Sequence, residues 1–140
     1  MLILDTDHLV EYQKGTSAES RRLKERLAQQ SQPYGTTIIS VEEIMRGWMA
    51  AIRRVHEARD QVSAYMKLRR LFWFFAVWHI LDFDQVAAQE CKRLQIAKVR
   101  VGTMDLKIAS IALARRATLL TRNRSDFEKI PGLLVEDWLA

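Results

Sequence analysis

The first eight residues, Met1-Leu2-Ile3-Leu4-Asp5-Thr6-Asp7-His8, constrain the chain more than any other stretch: a run of large aliphatic side chains stops abruptly in two acids. Such a run reads as a strand buried on both faces, the kind found in parallel sheets covered by helices. In open sheets of that type the ligand crevice lies outside the carboxyl ends of the strands. Asp5 therefore stands at the mouth of the crevice and is the first candidate for chemistry.

The rest of the chain alternates helix and strand patterns. Gly15, Thr16 and Ser17 form a loop after Asp7. Residues 18–30 follow as a helix with Leu23 and Leu27 on a narrow apolar stripe. Residues 31–35, with Pro33, break it. Thr36-Thr37-Ile38-Ile39 is β-branched throughout and reads as the second strand. Ser40 then fits a helix N-cap with Glu43 three residues on, a capping box that by itself accounts for Glu43. The helix continues through Ile44, Met45, Trp48, Met49 and Ile52, and a second runs over residues 61–75. The stretch from Leu71 to Trp78 holds five of the twelve aromatic side chains, which either face a partner or fill the core beneath the helical hairpin. Residues 77–81 form a third strand, and Asp84 caps a helix over residues 85–97. Gly102-Thr103 marks a turn before an Ala- and Ile-rich helix over residues 104–116. Strands over residues 117–121 and 133–136 complete the pattern. The expected architecture is α/β: one domain over residues 1–140, with a central parallel sheet of about five short strands flanked by helices and a helical hairpin between strands two and three.

Composition narrows the function. A net charge of +5 favours a polyanionic partner such as nucleic acid. Cys91 is the only cysteine, so no internal disulfide or multi-cysteine zinc site is available. No basic segment precedes the first apolar run, and the most apolar stretch elsewhere, residues 71–81, is too short to span a bilayer. The expectation is a cytoplasmic protein without a membrane partner. His8, His56 and His79 fall on a loop, a helix and a strand, without the paired imidazoles that a histidine-based ribonuclease needs.

Four carboxylates fall at the ends of elements. Asp5 closes strand one, Glu43 opens the helix after strand two, Asp105 lies in the first turn of the Ala-rich helix, and Asp126 follows strand four. Taken singly, Asp105 suits a helix macrodipole and Asp126 an ordinary polar turn. Gathered in one crevice, they repel unless a cation neutralises them. Oxygen donors without Cys or His suit Mg²⁺ or Mn²⁺, which steady charge on a phosphodiester while a water is deprotonated.

Several blocks together resemble the PIN-domain pattern. They are Leu4-Asp5-Thr6-Asp7; Ile39-Ser40-Val41-Glu42-Glu43-Ile44 with Gly47; Gly102 to Asp105 followed by Ile108-Ala109; Leu120-Thr121-Arg122-Asn123-Arg124-Ser125-Asp126-Phe127; and Ile130-Pro131-Gly132-Leu133. The single-domain length resembles the VapC toxins of bacterial toxin-antitoxin pairs. The resemblance implies a parallel sheet between helices and a Mg²⁺- or Mn²⁺-dependent endoribonuclease whose acids are Asp5, Glu43, Asp105 and Asp126. Glu43 is preferred to Glu42 because Gly47 stands four positions after it. Thr6, Asp7, Thr121 and Asn123 become supporting residues, with Asp7 departing from the Asn of many relatives. Arg46, Arg122 and Arg124 are candidates for RNA contact, Arg46 alternatively pairing with Glu43. The resemblance also implies a homodimer held in check by a cognate antitoxin. Two other readings stay open: a non-catalytic basic module that binds RNA or protein, and a haloacid-dehalogenase-like phosphotransferase with Asp5 as nucleophile.

Overall fold

The structure, a computed structural model, describes residues 1–140. Strand β1 (Leu2–Leu4) is the middle of a five-stranded parallel sheet, with β2 (Tyr34–Thr37) and β3 (Ile80–Leu81) on one side and β4 (Thr118–Leu120) and β5 (Leu134–Glu136) on the other. In register, Leu4 lies beside Thr36 of β2 and Leu120 of β4. Asp5, Thr37 and Thr121 therefore emerge side by side at the carboxyl edge. The chain moves outward from β1 through β2 and β3, then crosses back to β4, so the strand order reverses beside β1. That reversal is where open α/β sheets leave a crevice.

Seven helices cover the sheet: α1 (Thr6–Lys14), α2 (Ala18–Gln29), α3 (Ile38–Arg53), α4 (Ala58–Ala76), α5 (Gln85–Ile96), α6 (Thr103–Ala114) and the single turn α7 (Arg124–Phe127). Alternate strand residues point to opposite faces. Ile3 and Leu119 meet Leu94 of α5 and Ile108, Ala109, Ile111 and Ala112 of α6 on one face. Leu2, Leu4 and Leu120 meet Leu23 and Leu27 of α2, with Leu139, on the other. A third cluster joins Leu9, Val41, Ile44, Leu71 and Phe75 beneath the α3–α4 hairpin. Asp84 caps α5 as expected, its Oδ1 accepting from the Ala87 N–H at 2.9 Å.

The elements differ from the sequence reading at informative places. Gly15, Thr16 and Ser17 form the expected loop, but residues 6–14 before it are helix α1, so His8 is a helical residue and not on a loop. Asp5 caps α1, its Oδ1 accepting from the Thr6 N–H at 2.8 Å, and Gly15 ends it in the left-handed region at φ 75°. Leu9 is its one fully buried aliphatic side chain, so no apolar period announced it. The β-branched run 36–39 splits: the strand ends at Thr37 and α3 begins at Ile38. Thr37, not Ser40, is the cap, its Oγ1 accepting from the Ser40 N–H at 3.1 Å. Glu43 thus sits beyond the first turn and has no capping role. Strand β3 is two residues long, His79 precedes it, and His56 lies in the turn between α3 and α4. The aromatic stretch divides: Leu71 and Phe75 are buried, Trp78 meets Tyr12 edge-to-face with Phe74 tilted against the same ring, and Phe72 and Trp73 are exposed. No helix is long and apolar enough to cross a membrane.

One close approach sets the edge of the sheet. A Cβ at Gly35 would lie 2.3 Å from the carbonyl oxygen of His79, which accepts from the Thr36 N–H at 3.0 Å. Gly35→Ala should push β3 away and cost about 1–3 kcal/mol. A denaturant midpoint equal to the parent's would contradict this packing.

Candidate active site

Asp5 is held from three sides. Its backbone N–H donates to Leu120 O of β4 at 2.9 Å, its Oδ1 accepts from Thr6 N–H, and its Oδ2 accepts from the Thr121 hydroxyl at 2.7 Å. Only 6% of the residue is exposed. Burial, with the charges of Asp7 and Asp105, outweighs these hydrogen bonds and pushes its carboxyl up to about 7.

Asp7, in the first turn of α1, accepts from the Arg122 N–H at 3.0 Å and from His8 Nδ1 at 2.6 Å. Burial acts to raise its carboxyl, but the His8 and Arg122 contacts hold it below the usual carboxylate range. His8 is fully buried, and its Nε2 accepts from the Trp138 N–H at 3.1 Å, which leaves Nδ1 as the proton donor to Asp7. The sequence reading passed over this strut between the C-terminal segment and the cleft because it placed His8 on a loop. Glu11 was missed for the same reason. It lies one turn after Asp7 on the same helix, is buried, and is held low in pKa by the Ser17 hydroxyl and then by the Lys14 ammonium 3.1 Å away.

Glu43 of α3 and Asp105 of α6 reach the same cleft. Burial, and then Asp105, pushes the Glu43 carboxyl up, while burial, and then Asp126 and Asp7, does the same to Asp105. Glu43 Oε1 is buried with no hydrogen-bond partner. Asp126 stands at the margin on α7: the Asn123 amide donates to Asp126 Oδ2 at 3.1 Å and to Asp105 Oδ2 at 3.4 Å. Asn123 and then Lys129 hold Asp126 below the usual range. Asp5, Asp7, Glu43 and Asp105 thus line one cleft of about 430 Å³, with Thr6 and Arg122 at its wall and Asp126 tethered to the rim through Asn123. Thr121 links the two sides, since Asn123 N–H donates to the hydroxyl that holds Asp5.

The arginines sort differently. Arg46 pairs with Glu42 and not with Glu43, leaving the latter to face the cleft. Arg124 is paired with Glu128 at 2.8 Å, while Arg122 makes no ion pair and lines the cleft.

The donor set fits a hard divalent cation. It consists of carboxylate oxygens, three of them with pKa raised by burial and mutual charge, around an oxygen left unpartnered. No three of these side chains form a closed coordination group on their own. An ion that keeps part of its hydration shell and binds through one or two carboxylates suits a cleft of this width.

Comparison with known proteins adds to this geometry. The family model described as PIN domain matches residues 2–133. The tRNA(fMet)-specific endonuclease VapC of Salmonella typhimurium is 35% identical over 88 residues, 60% of this chain and 67% of that protein. Ribonuclease VapC2 of Rickettsia felis is 50% identical over 38 residues, 27% of this chain and 28% of that one. Among solved structures, DNA-bound VapBC from Salmonella typhimurium superposes with a TM-score of 0.75 at 25% identity, covering 98% of this chain and 97% of the other. VapBC2 from Rickettsia felis, bound to a promoter DNA fragment, gives 0.70 at 25% identity, covering 98% of both chains.

The crowded carboxylates carry a sign that can be measured. Asp5 titrates near 3.8 when unfolded and near 7 in the folded, metal-free chain. The folded state therefore binds its proton more tightly. Its penalty is absent below about pH 4 and grows to about 4 kcal/mol as pH rises past 7. Asn in its place can still accept from Thr6 N–H and donate to Thr121. In metal-free buffer, Asp5→Asn should melt above the parent at pH 8, with the difference narrowing by pH 5. A lower melting temperature for the variant at pH 8 would contradict the clustered-acid geometry.

Proposed function

The chain belongs to the PIN-domain family, and on that premise we propose that it is a VapC-type ribonuclease toxin that cleaves RNA phosphodiester bonds with Mg²⁺ or Mn²⁺ at the Asp5 cleft. One observation carries the reading: buried Asp5 shares a cleft with Asp7, Glu43 and Asp105 at the strand-order reversal, beside the partnerless Glu43 Oε1. Similarity to proteins named VapC endonuclease and ribonuclease supports the reaction class.

A bound Mg²⁺ or Mn²⁺ would be held by Asp5, Glu43 and Asp105, with Asp126 at the rim, and would supply the positive charge that offsets these carboxylates and polarises a phosphodiester. The protein's own side chains do the rest. The Thr121 hydroxyl and Thr6 N–H fix both oxygens of Asp5, so Asp5 orients and does not turn over. Glu43 Oε1, free of partners, accepts the proton of a water aimed at the scissile phosphate. Asn123 holds Asp105 and Asp126 in a common orientation, and Arg122 meets the phosphate at the cleft wall.

The toxin role brings two protein partners into the proposal, a cognate antitoxin and a second copy of the chain. Similar solved structures include a toxin–antitoxin complex from Klebsiella pneumoniae as well as the VapBC complexes. Two exposed apolar surfaces offer room for such partners: Val62, Tyr65, Met66 and Trp73 on α4, and Ile38 and Met49 on α3.

Cleavage of RNA by the purified chain should require Mg²⁺ or Mn²⁺ and stop in EDTA. Asp105→Asn should lower the rate by about 100-fold or more, a loss of about 3 kcal/mol or more of transition-state charge stabilisation. Cleavage that persists in EDTA, or at full rate in the variant, would sink the metal-nuclease reading. Tight RNA binding with no cleavage in either metal would favour a basic binding module.

A further inference from the structure

We propose that the RNA strand leaves the acidic cleft over Val10 and continues in a basic groove between α1 and α4, its phosphates resting on Lys14, Lys67 and Arg70. The inference rests on the ribonuclease reading above and adds the path of the substrate beyond the cleft.

The two hollows adjoin, because Val10 and Lys14 line both the acidic cleft and the neighbouring groove of about 270 Å³. Beyond Val10 the lining changes sign. Gln13, Trp48, Lys67 and Arg70 complete the groove, and no acid lines it. A strand whose scissile phosphate sits among carboxylates is repelled there and has to be held by cations outside. Single-stranded nucleic acid is bound by grooves of this composition, cations along an apolar or aromatic floor.

The cations are available. Lys67 and Arg70 stand three apart on one face of α4, both exposed, and neither is in an ion pair. Arg93 and Arg124, by contrast, are taken up by Glu90 and Glu128, and Arg46 by Glu42. The Lys67 ammonium lies 5.2 Å from the centre of the Trp48 ring, which also lines the groove. Lys14 is partnered on one side by Glu11 yet its side chain remains 58% exposed at the junction. Arg70 also borders the next hollow along α4, whose lining of Ala58, Val62, Tyr65, Met66 and Trp73 is mainly apolar, so the basic groove gives way there to the apolar surface described above.

The test is binding of a fluorescently labelled single-stranded RNA in EDTA, so that nothing is cut, over a series of salt concentrations. Each phosphate neutralised on a single strand adds about 0.7 to the slope of log affinity against log salt. Lys67→Ala/Arg70→Ala should weaken binding and flatten the slope by about 1.4, and Lys67→Glu/Arg70→Glu should weaken it further, with the melting temperature of each variant near the parent's. A double variant that keeps the parent's affinity and slope, while the parent binds and cuts RNA, would overturn the groove and leave the nuclease reading standing. An unchanged slope together with loss of a co-expressed antitoxin on purification would give the groove to a protein partner and overturn the proposal. A parent that neither binds nor cuts RNA fails the nuclease reading, and the groove falls with it.

Discussion

Repulsion among carboxylates fixed at the carboxyl edge of the sheet is the constraint to which the rest of the structure answers. Asp5 cannot retreat from it, because its backbone is tied to β4 through Leu120 and its side chain to Thr6 and Thr121. Its neighbours arrive from α1, which Asp5 itself caps, and from α3 and α6, which are distant in sequence, and each is anchored by its own packing. Leu9 holds α1, Val41 and Ile44 hold α3, and Leu106, Ile108 and Ala109 hold α6. The buried clusters on both faces of the sheet and beneath the hairpin hold together a fold that would otherwise relax by moving the acids apart.

What tempers the repulsion is a set of donors that themselves form a chain. The Trp138 N–H fixes His8, His8 donates to Asp7, Asp7 accepts from the backbone after β4, and Thr121 in that same segment holds Asp5. Asn123 then spans Asp105 and Asp126. The donors orient the acids but do not remove the crowding, since Asp5, Glu43 and Asp105 all remain above their ordinary pKa values. A site that keeps its carboxylates crowded after the available donors are in place is suited to a cation.

The sheet and most helices were legible because their signals are local: an aliphatic run ending in Asp5, an Asp84 cap, an Ala-rich helix after Gly102. The acids could be placed because strand ends in a parallel sheet converge. Three features were not legible. Helix α1 buries one aliphatic side chain and otherwise reads as polar, so its period was hidden, and His8 and Glu11 were hidden with it. The strand-to-helix boundary near Thr37 fell inside a uniform β-branched run, where propensity continues and only tertiary context stops the strand. Glu43 looked like half of a capping box until the cap moved to Thr37, and its unpartnered Oε1 is visible only in three dimensions.

The central claim is that Asp5 is kept protonatable by its surroundings until a divalent cation arrives. Its carboxyl can be followed directly by carbon NMR through a pH titration of the metal-free chain and again in saturating Mg²⁺. The account predicts a midpoint about 7 without metal and a fall to the ordinary carboxylate range or below with it. A midpoint near 3.8 in the metal-free chain that Mg²⁺ leaves unmoved would contradict it.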